Sequence, residues 1–210
     1  YINEVLVKVS RDEGQTWEER SIRDQLPFFA HFVARGPLRL LDDGTLIFIA
    51  YGYGKEDRHP EKGGGRSSTY ILTSADGGAN WDMVLMADGR HSCSDAGFIE
   101  TFPIIRGDGT LFVMLRTLLG EPAYSVFSSD GGRSWSEPVQ TPIRAKHPEP
   151  TVLRDGTLVC SYQRRFAQPY GVRARFTSDM GNTWSDEVVI RDCIPIDDGL
   201  GGINTVELSD

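Results

Sequence analysis

All four tryptophans of this 210-residue chain stand at the last position of one eight-residue pattern. The copies are Ser10–Trp17, Ser74–Trp81, Ser128–Trp135 and Thr177–Trp184, each with Asp third, Gly fifth and Thr, Asn or Ser seventh. Their Asp residues are 64, 54 and 49 positions apart. Repetition at such a period means that the chain stacks one supersecondary unit several times. The chemistry of the pattern is that of a tight turn. Asp accepts hydrogen bonds from amides two or three residues on, Gly supplies a positive φ, and the indole covers the turn with apolar surface. Asp12, Asp76, Asp130 and Asp179, with Trp17, Trp81, Trp135 and Trp184, therefore read as structural residues.

The segments before the four turns, Val5–Val9, Tyr70–Thr73, Tyr124–Phe127 and Val172–Phe176, read as strands. A second turn interleaves with the first: Asp43-Gly44, Asp108-Gly109 and Asp155-Gly156 each separate two apolar runs, a strong hairpin signal. Two hairpins per unit give four antiparallel strands in about 50 residues, the signature of a β-propeller blade. No segment carries sustained helical periodicity. The expected fold is all-β, a single propeller domain or a segment of one: a partial blade at 1–17, blades at about 35–86, 98–139 and 147–189, and a partial blade at 202–210. Three blades and two stubs do not obviously close a ring. A further segment or a second chain is expected to complete it.

Composition narrows the partners. Thirty acidic against 22 basic residues argue against non-specific nucleic-acid binding, and the longest apolar stretches, such as Leu46–Ala50, are too short for a membrane span. No leader pattern of basic residues followed by an apolar run opens the sequence. Arg dominates the cations, a mild pointer to an anionic ligand, since its fork suits carboxylates. Cys93, Cys160 and Cys193 lack the paired spacing of a metal site, as do the histidines, so neither metal nor cofactor is expected.

If both turns of a blade lie on one face of the disc, the start of its first strand, the end of its second and the start of its third meet on the other. Glu100 lies eight residues before Asp108 and Arg116 seven after Gly109, so they fall nearly opposite at the open end of an inner hairpin. The equivalent positions are Arg35 with Tyr51, and His147 with Gln163. Arg164 and Arg165 follow at once, and Arg173 and Arg175 share one side of a third strand. An anion-binding pocket is expected at that rim. A Glu–Arg pair across a hairpin is also, commonly, only a cross-strand ion pair.

These residues resemble the sialidase (neuraminidase) superfamily. The four turns are similar to its Asp-boxes, Glu100–Arg116 resembles its glutamate-to-arginine blade, and Tyr170–Trp184 resembles a later blade of bacterial sialidase-like proteins. The resemblance implies part of a six-bladed propeller and an exo-glycosidase acting on a terminal acidic sugar, with a tyrosine nucleophile, a glutamate base, an aspartate acid and arginines on the substrate carboxylate. By that resemblance Glu100 is the base, Arg116 one carboxylate-binding arginine, and Arg173 or Arg175 another. Arg35-Gly36-Pro37 resembles the family's Arg-x-Pro start, although the short spacing to Glu100 suggests that the true first arginine and the acid precede Tyr1. Asp57 and Asp95 are substitutes for the acid on rim loops, and His147 and Arg165 are substrate-binding positions. The family tyrosine would fall near Gly202 or Ile203, where none stands; Tyr51 and Tyr162 are near the same rim in other blades. The resemblance favours a bacterial secreted or periplasmic setting. A non-catalytic propeller binding glycan or protein, or another carbohydrate-active enzyme, is the alternative.

Overall fold

A computed structural model describes residues 5–26, 28–54, 66–106, 108–118 and 121–193, with side chains for all of these apart from 28–32, 35–37, 54, 102 and 103. Asp57 and the segment 202–210 lie outside the described residues. The strands come in chain order as neighbours. A two-stranded sheet holds β1 (Leu6–Val9) and β2 (Glu18–Ser21). Three four-stranded antiparallel sheets follow. The first contains β3 (Phe28–Leu40), β4 (Leu46–Gly54), β5 (Ser68–Ser74) and β6 (Asp82–Ala87). The second contains β7 (Ile99–Ile105), β8 (Leu111–Arg116), β9 (Pro122–Ser128) and β10 (Val139–Arg144). The third contains β11 (Lys146–Val152), β12 (Leu158–Arg164), β13 (Gly171–Thr177) and β14 (Val188–Arg191). Helical structure among the described residues is limited to two 3-10 turns, Arg23–Gln25 and Gly89–His91.

Consecutive sheets stack face to face. Leu111, Val113 and Leu115 of β8 pack against Ile47, Ile49 and Ile71 of the sheet before. The alternate residues Phe112 and Met114 pack against Leu158, Cys160 and Tyr162 of the sheet after. A strand covered on both faces has no polar side, which is why β8 reads Leu-Phe-Val-Met-Leu without alternation and is buried throughout. Phe48, Ala50, Leu72 and Trp81 close the first sheet against Ile22, Val5 and Val7. Each fully buried large apolar side chain contributes about 1.5–3 kcal/mol. Among the described residues the sheets do not close into a ring.

The Trp-containing turns share one hydrogen-bond net. In the first, the Thr16 amide and hydroxyl donate to Asp12 Oδ1 and Oδ2 at 2.8 and 2.6 Å, while Trp17 Nε1 donates to the Gly14 carbonyl at 3.1 Å. The Asp acceptor thus reaches four residues on, further than the sequence reading placed it. The residue opening each copy adds a bond the sequence reading missed: Ser10 Oγ donates to Asp12 and accepts from the Gly14 amide at 2.7 Å. Ser74, Ser128 and Thr177 repeat this. The turn glycines then wedge against the preceding sheet: Gly78 beside Val7, Gly132 beside Ile71, Gly181 beside Ser125 and Phe112.

At the opposite end, the loop from β6 to β7 straps the first two sheets together. Ser67 N donates to the Ala96 carbonyl at 2.9 Å and Phe98 N to the Ser67 carbonyl at 2.7 Å. A Cβ on Gly89 or Gly97 would stand 2.3 Å from the Ser67 oxygen, so both positions exclude any side chain.

The register corrects one expected pair. Tyr51 pairs with Val33, and Arg35 pairs with Ile49. The ladder shifts between Arg35 and Arg39, where Gly36-Pro37 intervenes and Pro37 has no N–H to donate.

Two outcomes follow for stability. At Gly132, where φ is +90° and an added Cβ would lie 2.9 Å from Ile71 Cδ1, Gly→Ala is expected to cost about 2–4 kcal/mol from backbone strain plus overpacking. At Gly131, with φ +72° and open space around it, the same change is expected to cost about 1–2 kcal/mol, from strain alone. Urea denaturation of the two variants checks the difference. Hydrogen bonds, led by the Thr16 hydroxyl, the Asn80 amide and the Thr183 hydroxyl, lower Asp12, Asp76 and Asp179 from 3.8 to about 2. A carboxylate lowered on folding stabilises fully above its unfolded value and loses that contribution as the pH falls through the folded one. The melting temperature should therefore fall between those two values, and Asp76→Asn should lower it at neutral pH while flattening the acid decline.

Candidate functional site

Strand pairing brings the inner-rim positions into place. Ile99 pairs with Arg116 at the end of β8, and Lys146 pairs with Gln163 near the end of β12. In both sheets the register then slips by one residue, and the extra residues are Glu100 and His147. They adopt φ of +46° and +53°, uncommon for side chains of their size. The two bulges turn their side chains towards each other across the gap between adjacent sheets. Arg116 Nη1 contacts Glu100 Oε2, and His147 Nδ1 lies 3.7 Å from the same oxygen. The three side chains are only 9–16% exposed. A carboxylate between a guanidinium and an imidazole stays ionised, and so can accept a proton or orient a hydroxyl.

The other expected residues go elsewhere. Arg173, 1% exposed, faces the same way as its partner Tyr162. Its guanidinium donates to Glu187 Oε1 at 3.2 Å, to Asp192 Oδ1, and to the carbonyls of Val172, Arg191 and Pro169. Glu187 also accepts from the Tyr162 hydroxyl at 2.6 Å and from Arg164 at 3.4 Å. Arg175 sits beside Tyr162 and donates to the Ser185 carbonyl. Burial first and Glu187 second push the Tyr162 phenol up, which is the wrong direction for a nucleophile. This second cluster ties β12, β13 and β14 together. Sequence reasoning missed Glu187, which lies in the segment after a Trp turn with no local signal to mark it.

Arg165 is buried just past the end of β12, at the same end as His147. Arg35 is placed by its backbone in β3. Asp95 is exposed and pairs with Arg66 at 3.3 Å. Among the described residues no cluster of His, Cys, Asp or Glu could hold a metal ion. No helix among them is long and apolar enough to cross a membrane.

A repeat of stacked four-stranded sheets with this turn net is the architecture of Asp-box proteins. The chain belongs to the BNR repeat-like domain family, which it matches over residues 2–148. It is 28% identical over 202 residues to a curated sialidase of Bacteroides fragilis (strain YCH46), covering 87% of this chain and 34% of that protein. The chain thus spans about a third of the length of this relative. Among solved structures, the Hadza microbial sialidase Hz136 is similar with a TM-score of 0.60 at 20% identity, over 90% of this chain and 37% of that one. An α-L-arabinanase of Penicillium chrysogenum is similar with a TM-score of 0.57 at 17% identity, over 84% of this chain and 55% of that one. At such identities the likeness shows the fold, and it identifies the sheets as blades of a β-propeller.

Removing Arg173 would leave the exposed Asp192 without this partner and the half-buried Glu187 with Arg164 alone, and would open a cavity where the buried arginine stood. Arg173→Ala is expected to cost about 2–4 kcal/mol, chiefly from the lost packing and from the carbonyls of Val172 and Arg191 left without their donor, measured by chemical denaturation.

Proposed function

We propose that these blades belong to a sialidase-like exo-glycosidase, built on a six-bladed propeller, that hydrolyses a terminal acidic sugar from glycoconjugates. The single observation that carries this reading is the rim constellation in which Arg116 and His147 flank one oxygen of Glu100. Membership of the BNR family and the distant sialidase relative support it. Hydrolysis breaks the glycosidic C–O bond; water supplies hydroxide to the anomeric carbon and a proton to the leaving oxygen. In this reading Glu100, held ionised, is the base, and Arg116 binds the sugar carboxylate alongside it. Arg165 and Arg35 are further cations for the substrate, and Asp57 is the acid. A secreted or periplasmic setting, where glycoconjugates are met, goes with this function.

One observation favours a second reading. Arg173, expected on the substrate carboxylate, is committed to Glu187 and Asp192. A propeller that binds glycan without cleaving it needs no such arginine clamp.

Turnover of a fluorogenic α-sialoside decides between them. Glu100→Gln should lower kcat by about a hundredfold or more. Arg116→Ala should raise KM about tenfold or more, the loss of a charge-assisted hydrogen bond. Wild-type protein that binds the sialoside and never releases the fluorophore would establish the binding reading instead.

A further inference from the structure

Glu100 and His147 come from different blades, yet each is the extra residue of a one-residue bulge and each has a left-handed backbone. A left-handed conformation is strained for a non-glycine residue, and such outliers gather at functional sites. Here the strain has a visible return: it brings an imidazole nitrogen within 3.7 Å of a carboxylate oxygen that already has a guanidinium on it. The three groups are mostly enclosed, so their charges are weakly screened.

We propose that His147 is the titratable gate of this rim, giving the trio it forms with Glu100 and Arg116 a net positive charge when protonated and none when neutral, so that an anionic sugar binds more tightly to the protonated form. The inference rests on the reading that the rim takes an acidic sugar. Arg116 contributes +1 and Glu100 −1 at all pH values near neutrality, so the sign of the trio is set by the imidazole. The charged groups on the strands packed against His147 are Glu100 on β7, Arg116 on β8, and Arg164 and Arg165 at the end of β12. Lys146 and Glu149 lie on its own strand. Arg164 is drawn to Glu187 at 3.4 Å, and neither arginine changes charge in the relevant range. His147 thereby acts on substrate affinity, and on the Glu100 carboxylate as a positioning residue.

The test has two arms. In the first, NMR follows the His147 imidazole through a pH titration of the protein and of two variants. Removing the anion by Glu100→Gln should lower the His147 pKa by about one unit or more, while removing the cation by Arg116→Gln should raise it. If neither variant moves it, or both move it the same way, the coupling is wrong. In the second, calorimetry measures binding of free N-acetylneuraminate from pH 5 to pH 8. Affinity should fall about tenfold as His147 loses its proton, and the bound sugar acid should raise the His147 pKa in the wild-type protein. His147→Gln should bind weakly and with no such pH dependence. Binding that is undiminished across the range, or a dependence that survives His147→Gln, overturns the gate. Failure to bind the sugar acid at any pH overturns the substrate reading and the gating of it, while the first arm still decides the charge coupling.

Discussion

The hydrogen-bond net of the Asp-box turn is the constraint on which the rest depends. One carboxylate accepts both the amide and the side-chain donor of the residue four positions on, and the opening Ser or Thr locks the glycine amide. That leaves the glycine with nothing beyond its backbone to present, and the backbone is pressed into the sheet before it. Each turn thereby ends a hairpin and also sets the distance to the neighbouring blade. The apolar layers between blades, such as Ile71 against Leu111 and Val113, can interdigitate because that distance is fixed at one rim.

Much of this was legible. Four matching Trp turns and three Asp-Gly turns are local signals, and local signals survive in a sequence read without partners. The strands flanking them and the central burial of β8 follow from those turns and from an apolar run. The nearness of Glu100 to Arg116 was legible too, since counting outward from a tight turn comes within one residue of the facing position; the bulge puts Ile99 opposite Arg116, and the Glu100 side chain still reaches the guanidinium. The counting failed in the first blade, where Gly36-Pro37 breaks the ladder and displaces Tyr51 from Arg35.

What was not legible is instructive in the same terms. Nothing in the sequence around Glu100 or His147 announces a bulge, because neither is glycine, and the left-handed backbone is held by the surrounding ladder. Arg173 and Arg175 looked alike by spacing, two residues apart on one strand face. Their fates differ because of Glu187 and Asp192, which return to the strand from loops. The buried arginine met two carboxylates and became part of the frame. An arginine in a strand does not reveal, without its partners, whether it serves a ligand or the fold.

The strap at Ser67 carries a different consequence. The first two blades are joined there by main-chain hydrogen bonds, at a point where Gly89 and Gly97 leave no room for a side chain. Such a joint has no adjustable part: no exchange of one residue for a slightly larger one can tilt one blade against the other by a few degrees. A change in how these two blades meet must instead come from the loops around the joint, lengthened or replaced whole.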